Sequence, residues 1–232
     1  DVILKDPGLE SGHGNNVIPA DFVIVATGVE PNTGFLHGSG IMLDEHGAVD
    51  VDRKMRTNIK NVHAAGDCAN VFNALTGEKV YNPLATMANK QGRYAGYAIG
   101  GRDEPFPGTM ETIITRIMTL CVSRTGLSIE HARSRGIDAV EVSITHKDRA
   151  HYYPGTRDMF MSIVVDRASH HVLGASIAGS ELAAKKIDTW VALIKAGMPI
   201  EEIQMLDLSY APPFSPVYDA ISIIASVARK KM

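Results

Sequence analysis

The sequence predicts an α/β segment followed by an α+β domain with an antiparallel sheet and helices. Three observations predict it. A continuous apolar run, Phe22–Ala26, stops at Thr27-Gly28, the pattern of a strand buried on both faces of a parallel sheet. From Leu84 to Ile99, after Pro83, apolar and small residues recur with helical spacing. Beyond the stretch GGRDEPFPG at Gly100–Gly108, short strand patterns alternate with helical ones.

In chain order, Val2–Lys5 and Phe22–Ala26 read as strands around a Gly- and Asn-rich loop at Gly8–Asn16. Glu30-Pro31-Asn32 is a turn, and Gly34–His37 a short helical turn. Ile41–Leu43 and Ala48–Val51 suit a hairpin across Asp44–Gly47, and Val62–Ala65 a strand that runs into Gly66-Asp67. Phe72–Tyr81 is polar and turn-rich. The helix that follows gathers Leu84, Met87, Ala88, Gln91, Ala95, Ala98 and Ile99 largely on one face, with Pro83 at its start, where a missing N–H costs nothing.

In the second domain a strand is expected near Thr112–Leu120, then a helix at Ser128–Arg135 with Ser128 as N-cap and Gly136 as its stop. Strands follow at Ala139–Thr145, Met159–Asp166 and Val172–Ala178. A second helix spans Glu181–Ala196 and stops at Gly197-Met198-Pro199, and a short third runs from Ile200 to Met205. Trp190 and the methionines are assigned to the core.

The chain has 232 residues, 45% of them hydrophobic, enough to bury a sizeable core. A net charge of −3 leaves no electrostatic footprint for nucleic acid or an acidic membrane surface, so neither is expected as a partner. Apolar runs are short and broken by charges, which argues against a transmembrane helix or a signal peptide. Cys68 and Cys121 stand alone without a C-x-x-C, so neither a disulfide framework nor a metal site is expected, and a reducing cytoplasm is the default.

Two sets of residues carry chemistry. At Gly66-Asp67 a backbone without Cβ, at a strand end, lets a ligand come close, and the carboxylate just beyond can accept hydrogen bonds from sugar or ribityl hydroxyls. Pro83, Leu84, Ala85 and Thr86 form a helix N-terminus with unpaired amide donors and a partial positive charge. The second set lies in HYYPG at His151–Gly155 and LSYAPPFSP at Leu208–Pro216, where prolines fix irregular backbone around Tyr152, Tyr153, Tyr210 and Phe214. A neutral phenol there can protonate a departing thiolate. Aromatic packing alone accounts for Tyr153, Phe214 and Tyr218.

The stretch T-x4-V-x-A-x-G-D at Thr57–Asp67 resembles the second flavin motif of the pyridine nucleotide-disulfide oxidoreductases, and FVIVATG at Phe22–Gly28 resembles the point where their NADH-binding domain hands the chain back to the flavin domain. YYPG and YAPP resemble motifs of their coenzyme A disulfide reductases and of the related coenzyme A-dependent NADH oxidases and persulfide reductases. The resemblance implies an α/β remnant of the flavin- and NAD-binding domains followed by an α+β dimerisation domain. Residues 1–36 would end the NAD-binding domain, 37–104 form the C-terminal part of the FAD-binding domain, and 105–232 form the dimerisation domain.

It further implies FAD as cofactor, NAD(P)H as co-substrate and a homodimer. Gly66, Asp67, Pro83, Leu84, Ala85 and Thr86 would bind FAD, while Tyr152 and Tyr210 would act on a coenzyme A disulfide or persulfide in the partner's site. The reactive cysteine of that chemistry would lie outside this chain, with Cys68 buried and inert. The sequence has no G-x-G-x-x-G after a strand and no starting Met, so it is expected to be the C-terminal part of a longer protein, inactive by itself. Competing readings are an NADH oxidase or peroxidase that reduces oxygen or peroxide and, for this piece alone, a non-catalytic dimerisation module.

Overall fold

The structure, a computed structural model, describes residues 2–4 and 16–232. Strand β1 (Val2–Leu4) pairs antiparallel with β2 (Asn16–Ile18). Lys5 and most of the expected Gly- and Asn-rich loop fall outside the described residues. The expected strand Phe22–Ala26 is not formed: its residues are irregular, and Phe22 and Val25 are 78% and 81% exposed. A strand covered on both faces needs a ladder on each side, and the described residues supply no neighbour for it. Gly28 takes φ +95°, in the region that only glycine enters freely.

The first compact part is built around Val49, Val51, Met55, Ala69, Val71, Ala95 and Phe106. Gly34–Leu36 forms the expected helical turn, as a 3-10 helix. The Asp44–Gly47 turn closes as expected, since the Gly47 N–H donates to the Asp44 carbonyl, and Leu43 bridges Val49. Val62–Ala65 is extended but not a strand; its pairing is one antiparallel bridge between Arg56 and His63. Inside the expected polar stretch, β3 (Val71–Phe72) and β4 (Lys79–Val80) form a small hairpin.

Helix α1 (Ala85–Ile99) turns Gln91 and Ala95 into this core. Ile99, placed on the buried face by periodicity, is exposed in the last turn. Pro83 precedes the N-cap, Leu84, instead of opening the helix. Phe106, within the Gly100–Gly108 stretch, is buried with its ring edge-on to Tyr94 at 5.1 Å.

The second part is a five-stranded antiparallel sheet in the order β5-β6-β9-β8-β7. Its strands are β5 (Ile113–Ile117), β6 (Leu120–Gly126), β7 (Ala139–Lys147), β8 (Asp158–Asp166) and β9 (Val172–Gly179). One strand was expected over Thr112–Leu120; the chain instead reverses at Met118, φ +54°, and returns as β6.

Helix α2 (Ile129–Ser134) begins as expected, with Ser128 Oγ accepting the His131 N–H, and ends before Gly136 at φ +74°. It packs on Ala139, Val164 and Leu173 on one sheet face. The other face carries the main core, where Met159, Met161, Ile163 and Ile177 meet α3 (Glu181–Lys185), α4 (Ile187–Ala196), α5 (Ile200–Ile203) and α6 (Ala220–Arg229).

The single helix expected over Glu181–Ala196 breaks at Lys186, whose ammonium is drawn to Asp219. Gly197 at φ +61° ends α4, as expected. Trp190 is fully buried, but Met42, Met118 and Met205 are exposed, so the methionines are not all core.

Candidate functional site

The first set of site residues lies where the first core meets α1. Gly66 sits at φ +94° with Ala88 beside it, so its backbone requires glycine although a Cβ would find ordinary space. Its N–H donates to Gln91 Oε1 at 2.7 Å. Asp67, next in the chain, is exposed, and its carboxylate enters no hydrogen bond or ion pair among the described residues. The phenol of Tyr81 is held above its usual pKa, first by burial and then by the nearby negative charge of Asp67. Cys68, expected to be buried, is half-exposed, its thiol 3.6 Å from the Ala65 carbonyl.

At the start of α1, Leu84 offers no side-chain cap and the first turn holds no acid. The carbonyl of Leu84 accepts from the N–H groups of Met87 and Ala88, while Ala85 and Thr86 are exposed. Pro83 and Leu84 are half-buried. An unshielded helix N-terminus and a carboxylate without a partner suit a ligand that presents both an electron-rich edge and hydroxyls. The donor set therefore fits the ribityl and ring portions of a flavin.

The second set lies on the sheet domain. Tyr152 sits on the β7–β8 connection, and Tyr210 on the irregular segment between α5 and α6. Both line a cleft of about 530 Å3 together with His146, Lys147, His151 and Tyr218. They are 65% and 46% exposed. Tyr210 is held protonated above the ordinary phenol range, first by its hydrogen bond with Tyr152, then by burial. Phe214 and Tyr218 are also largely exposed, against the expectation that packing within the chain accounts for them. None of the residues lining this cleft belongs to the Gly66–Thr86 set.

Two buried carboxylates shape the tyrosine segments, and sequence reasoning missed both. Asp148 accepts the Arg157 N–H at 3.0 Å and the Ser180 hydroxyl at 2.6 Å, closing the loop that carries Tyr152. Asp219 accepts the Ser215 hydroxyl at 2.8 Å, the Lys186 ammonium at 2.5 Å and the Ile221 N–H at 2.9 Å, joining the Tyr210 segment to the cap of α6. For Asp219, burial works against ionisation, but Lys186 and the other donors outweigh it and hold the pKa below the usual carboxylate value. The signal was available: an acid directly before the apolar run AISIIA is an N-cap.

Among the described residues no cluster of three or more His, Cys, Asp or Glu could hold a metal, and no helix is long and apolar enough to cross a membrane. The model of the pyridine nucleotide-disulphide oxidoreductases matches residues 3–92, and that of their dimerisation domain matches 114–220. A NAD(P)H sulfur oxidoreductase (CoA-dependent) of Pyrococcus furiosus is 39% identical over 90% of this chain and 47% of its own length. An NADH oxidase of Methanocaldococcus jannaschii is 34% identical over 91% of this chain and 47% of its own length. The solved NAD-dependent persulfide reductase from A. fulgidus superposes with a TM-score of 0.86 at 39% identity, over 92% of this chain and 40% of that one. The chain thus spans about half the length of the curated relatives it matches.

Proposed function

The chain belongs to the pyridine nucleotide-disulphide oxidoreductase family, and on that premise we propose that it is part of an FAD-dependent NAD(P)H oxidoreductase acting on a coenzyme A disulfide or persulfide. The observation that carries this reading is the meeting of Tyr152 and Tyr210, from YYPG and YAPP, in one cleft.

Asp67, Gly66 and the N-terminus of α1, from Pro83 to Thr86, would hold FAD. The bound cofactor supplies acceptance of a hydride from the nicotinamide and delivery of two electrons to sulfur. Asp67 would accept hydrogen bonds from ribityl hydroxyls, and Gly66 would keep side-chain bulk away from them. The free amides of Ala85 and Thr86 would favour negative charge on a ring edge held there. At the cleft, the two phenols donate to a sulfur that leaves as thiolate, and Tyr210, held protonated, keeps its proton available up to alkaline pH. This reading assigns the reactive cysteine to a position outside this chain; Cys121, buried in β6, supports that, while Cys68 is half-exposed beside Asp67.

The molecule works as a homodimer in this reading. By register, Ile113, Ile117, Leu120 and Phe160 share the sheet face opposite the main helical core, and all are exposed. An apolar patch on a β-sheet suits a second copy. Residues 1–36, 37–104 and 105–232 are assigned to the end of the NAD-binding part, the flavin part and the dimerisation part. The named NADH oxidase among the relatives supports a second reading, with oxygen or peroxide as acceptor. Assays of the full-length protein separate the two: NAD(P)H oxidation that depends on coenzyme A disulfide or persulfide supports the first, and oxidation that depends on oxygen alone overturns it in favour of the second.

A further inference from the structure

We propose that Gln91 is a positioning residue of the flavin site, a clamp that fixes the Gly66–Asn70 turn against α1. The inference rests on the assignment of Asp67 and the α1 N-terminus to FAD. Gln91 occupies the buried face of α1 and is 2% exposed. A purely packing role there would suit an apolar side chain, because a buried amide is costly unless its groups are bonded. Both of its groups are bonded, and both partners are backbone atoms of the same turn. Oε1 accepts the Gly66 N–H at 2.7 Å, and Nε2 donates to the Asn70 carbonyl at 3.1 Å.

Gln91 therefore grips the two ends of the turn that presents Asp67 between them. The far end is itself anchored. Asn70, fully buried, accepts the Val51 N–H at 3.1 Å and donates to Asp50 at 2.8 Å, and Asp50 is paired with Lys79. At the near end, Ala88 lies against Gly66. The same helix carries the first-turn amides of Ala85 and Thr86, unpaired among the described residues, about 1.4 to 1.7 turns before Gln91. Asp67 and the helix N-terminus thus belong to one frame, and Gln91 sets the distance between them. A ligand that touches both depends on that distance; folding of the first part depends on it less.

The test uses Gln91→Met, which keeps length and apolar volume while removing both hydrogen bonds, and measures FAD affinity and thermal unfolding of the full-length protein with and without FAD. The clamp predicts a rise in the FAD dissociation constant of about tenfold, equivalent to one well-made hydrogen bond, and a smaller gain in unfolding temperature on adding FAD. A dissociation constant within about twofold of the parent, with FAD-induced stabilisation intact, overturns the proposal even if the apoprotein has lost stability. Should Gln91→Met not fold, Gln91→Glu, which retains an acceptor for the Gly66 N–H, must likewise weaken FAD affinity, and parental affinity overturns the proposal. Asp67→Ala is the control: weakened FAD binding there, beside parental binding in the Gln91 variant, sinks the clamp alone, whereas unchanged binding in Asp67→Ala sinks the flavin assignment beneath it.

Discussion

The N–H of Ala150 donates to the carbonyl of Pro212 at 3.2 Å, joining the loop that carries Tyr152 to the segment that carries Tyr210. Two stretches far apart in the chain thereby share one backbone hydrogen bond close to both phenols. Asp148 closes one side and Asp219 the other, so the pair rests on a frame of buried polar groups.

Because the two phenols line one cleft and would act on the same sulfur, their contributions should not add. Tyr152→Phe and Tyr210→Phe are each expected to slow turnover with coenzyme A disulfide by about a hundredfold, the scale of general acid catalysis. The double variant should lose little more. Reduction of the flavin by NAD(P)H, measured separately by stopped flow, should remain near the parent rate; an equal loss in both half-reactions would remove the tyrosines from the chemistry.

Asp219 gives a pH prediction. Its folded pKa lies below the unfolded value, so its contribution to stability is complete above the ordinary carboxylate pKa of about 3.9 and is lost as pH falls through the lower folded value. Asp219→Asn leaves the Lys186 ammonium without its partner and should destabilise the domain by about 3 kcal/mol at neutral pH. Urea titrations at a series of pH values should show the gap between parent and variant closing below about pH 4.

Trp190 is fully buried among the helices, yet its Nε1 has no hydrogen-bond partner among the described residues. Its worth is therefore volume and apolar contact. Trp190→Ala should cost about 3–5 kcal/mol, and Trp190→Phe distinctly less, since no hydrogen bond is lost with the indole. Thermal unfolding of the two variants checks the order.

The sheet face that holds Ile117 and Leu120 supplies the fourth prediction. A charge placed there by Ile117→Asp should shift the protein from dimer to monomer in sedimentation, with the secondary structure unchanged by circular dichroism. A dimer as tight as the parent would move the interface elsewhere.

The second part of the fold was largely legible because its elements carry their own punctuation. Ser128 and Gly136 bracket α2, Gly197 ends α4, and β7 alternates Val140, Val142 and Ile144 with Glu141, Ser143 and Thr145. What escaped depended on contacts distant in sequence. β6 was hidden because nothing local announces the reversal at Met118, and the break at Lys186 falls where its ammonium pairs with the distant Asp219. Phe22–Ala26 and Val62–Ala65 were read as strands from apolar content, but a strand exists only where a neighbour pairs with it. At the candidate site, the YYPG and YAPP motifs singled out Tyr152 and Tyr210, which line one cleft. Gln91 passed as one more member of a buried helical face, although a polar residue on such a face was itself the signal.

The most direct test of the flavin assignment is FAD occupancy of the full-length protein carrying Asp67→Ala. Loss of hydrogen bonds to a charged acceptor is worth about 1.5–3 kcal/mol, so the purified variant should be largely free of flavin absorbance and should bind added FAD about ten- to a hundredfold more weakly than the parent. A variant that purifies with a full complement of FAD and binds it with parental affinity would contradict the assignment.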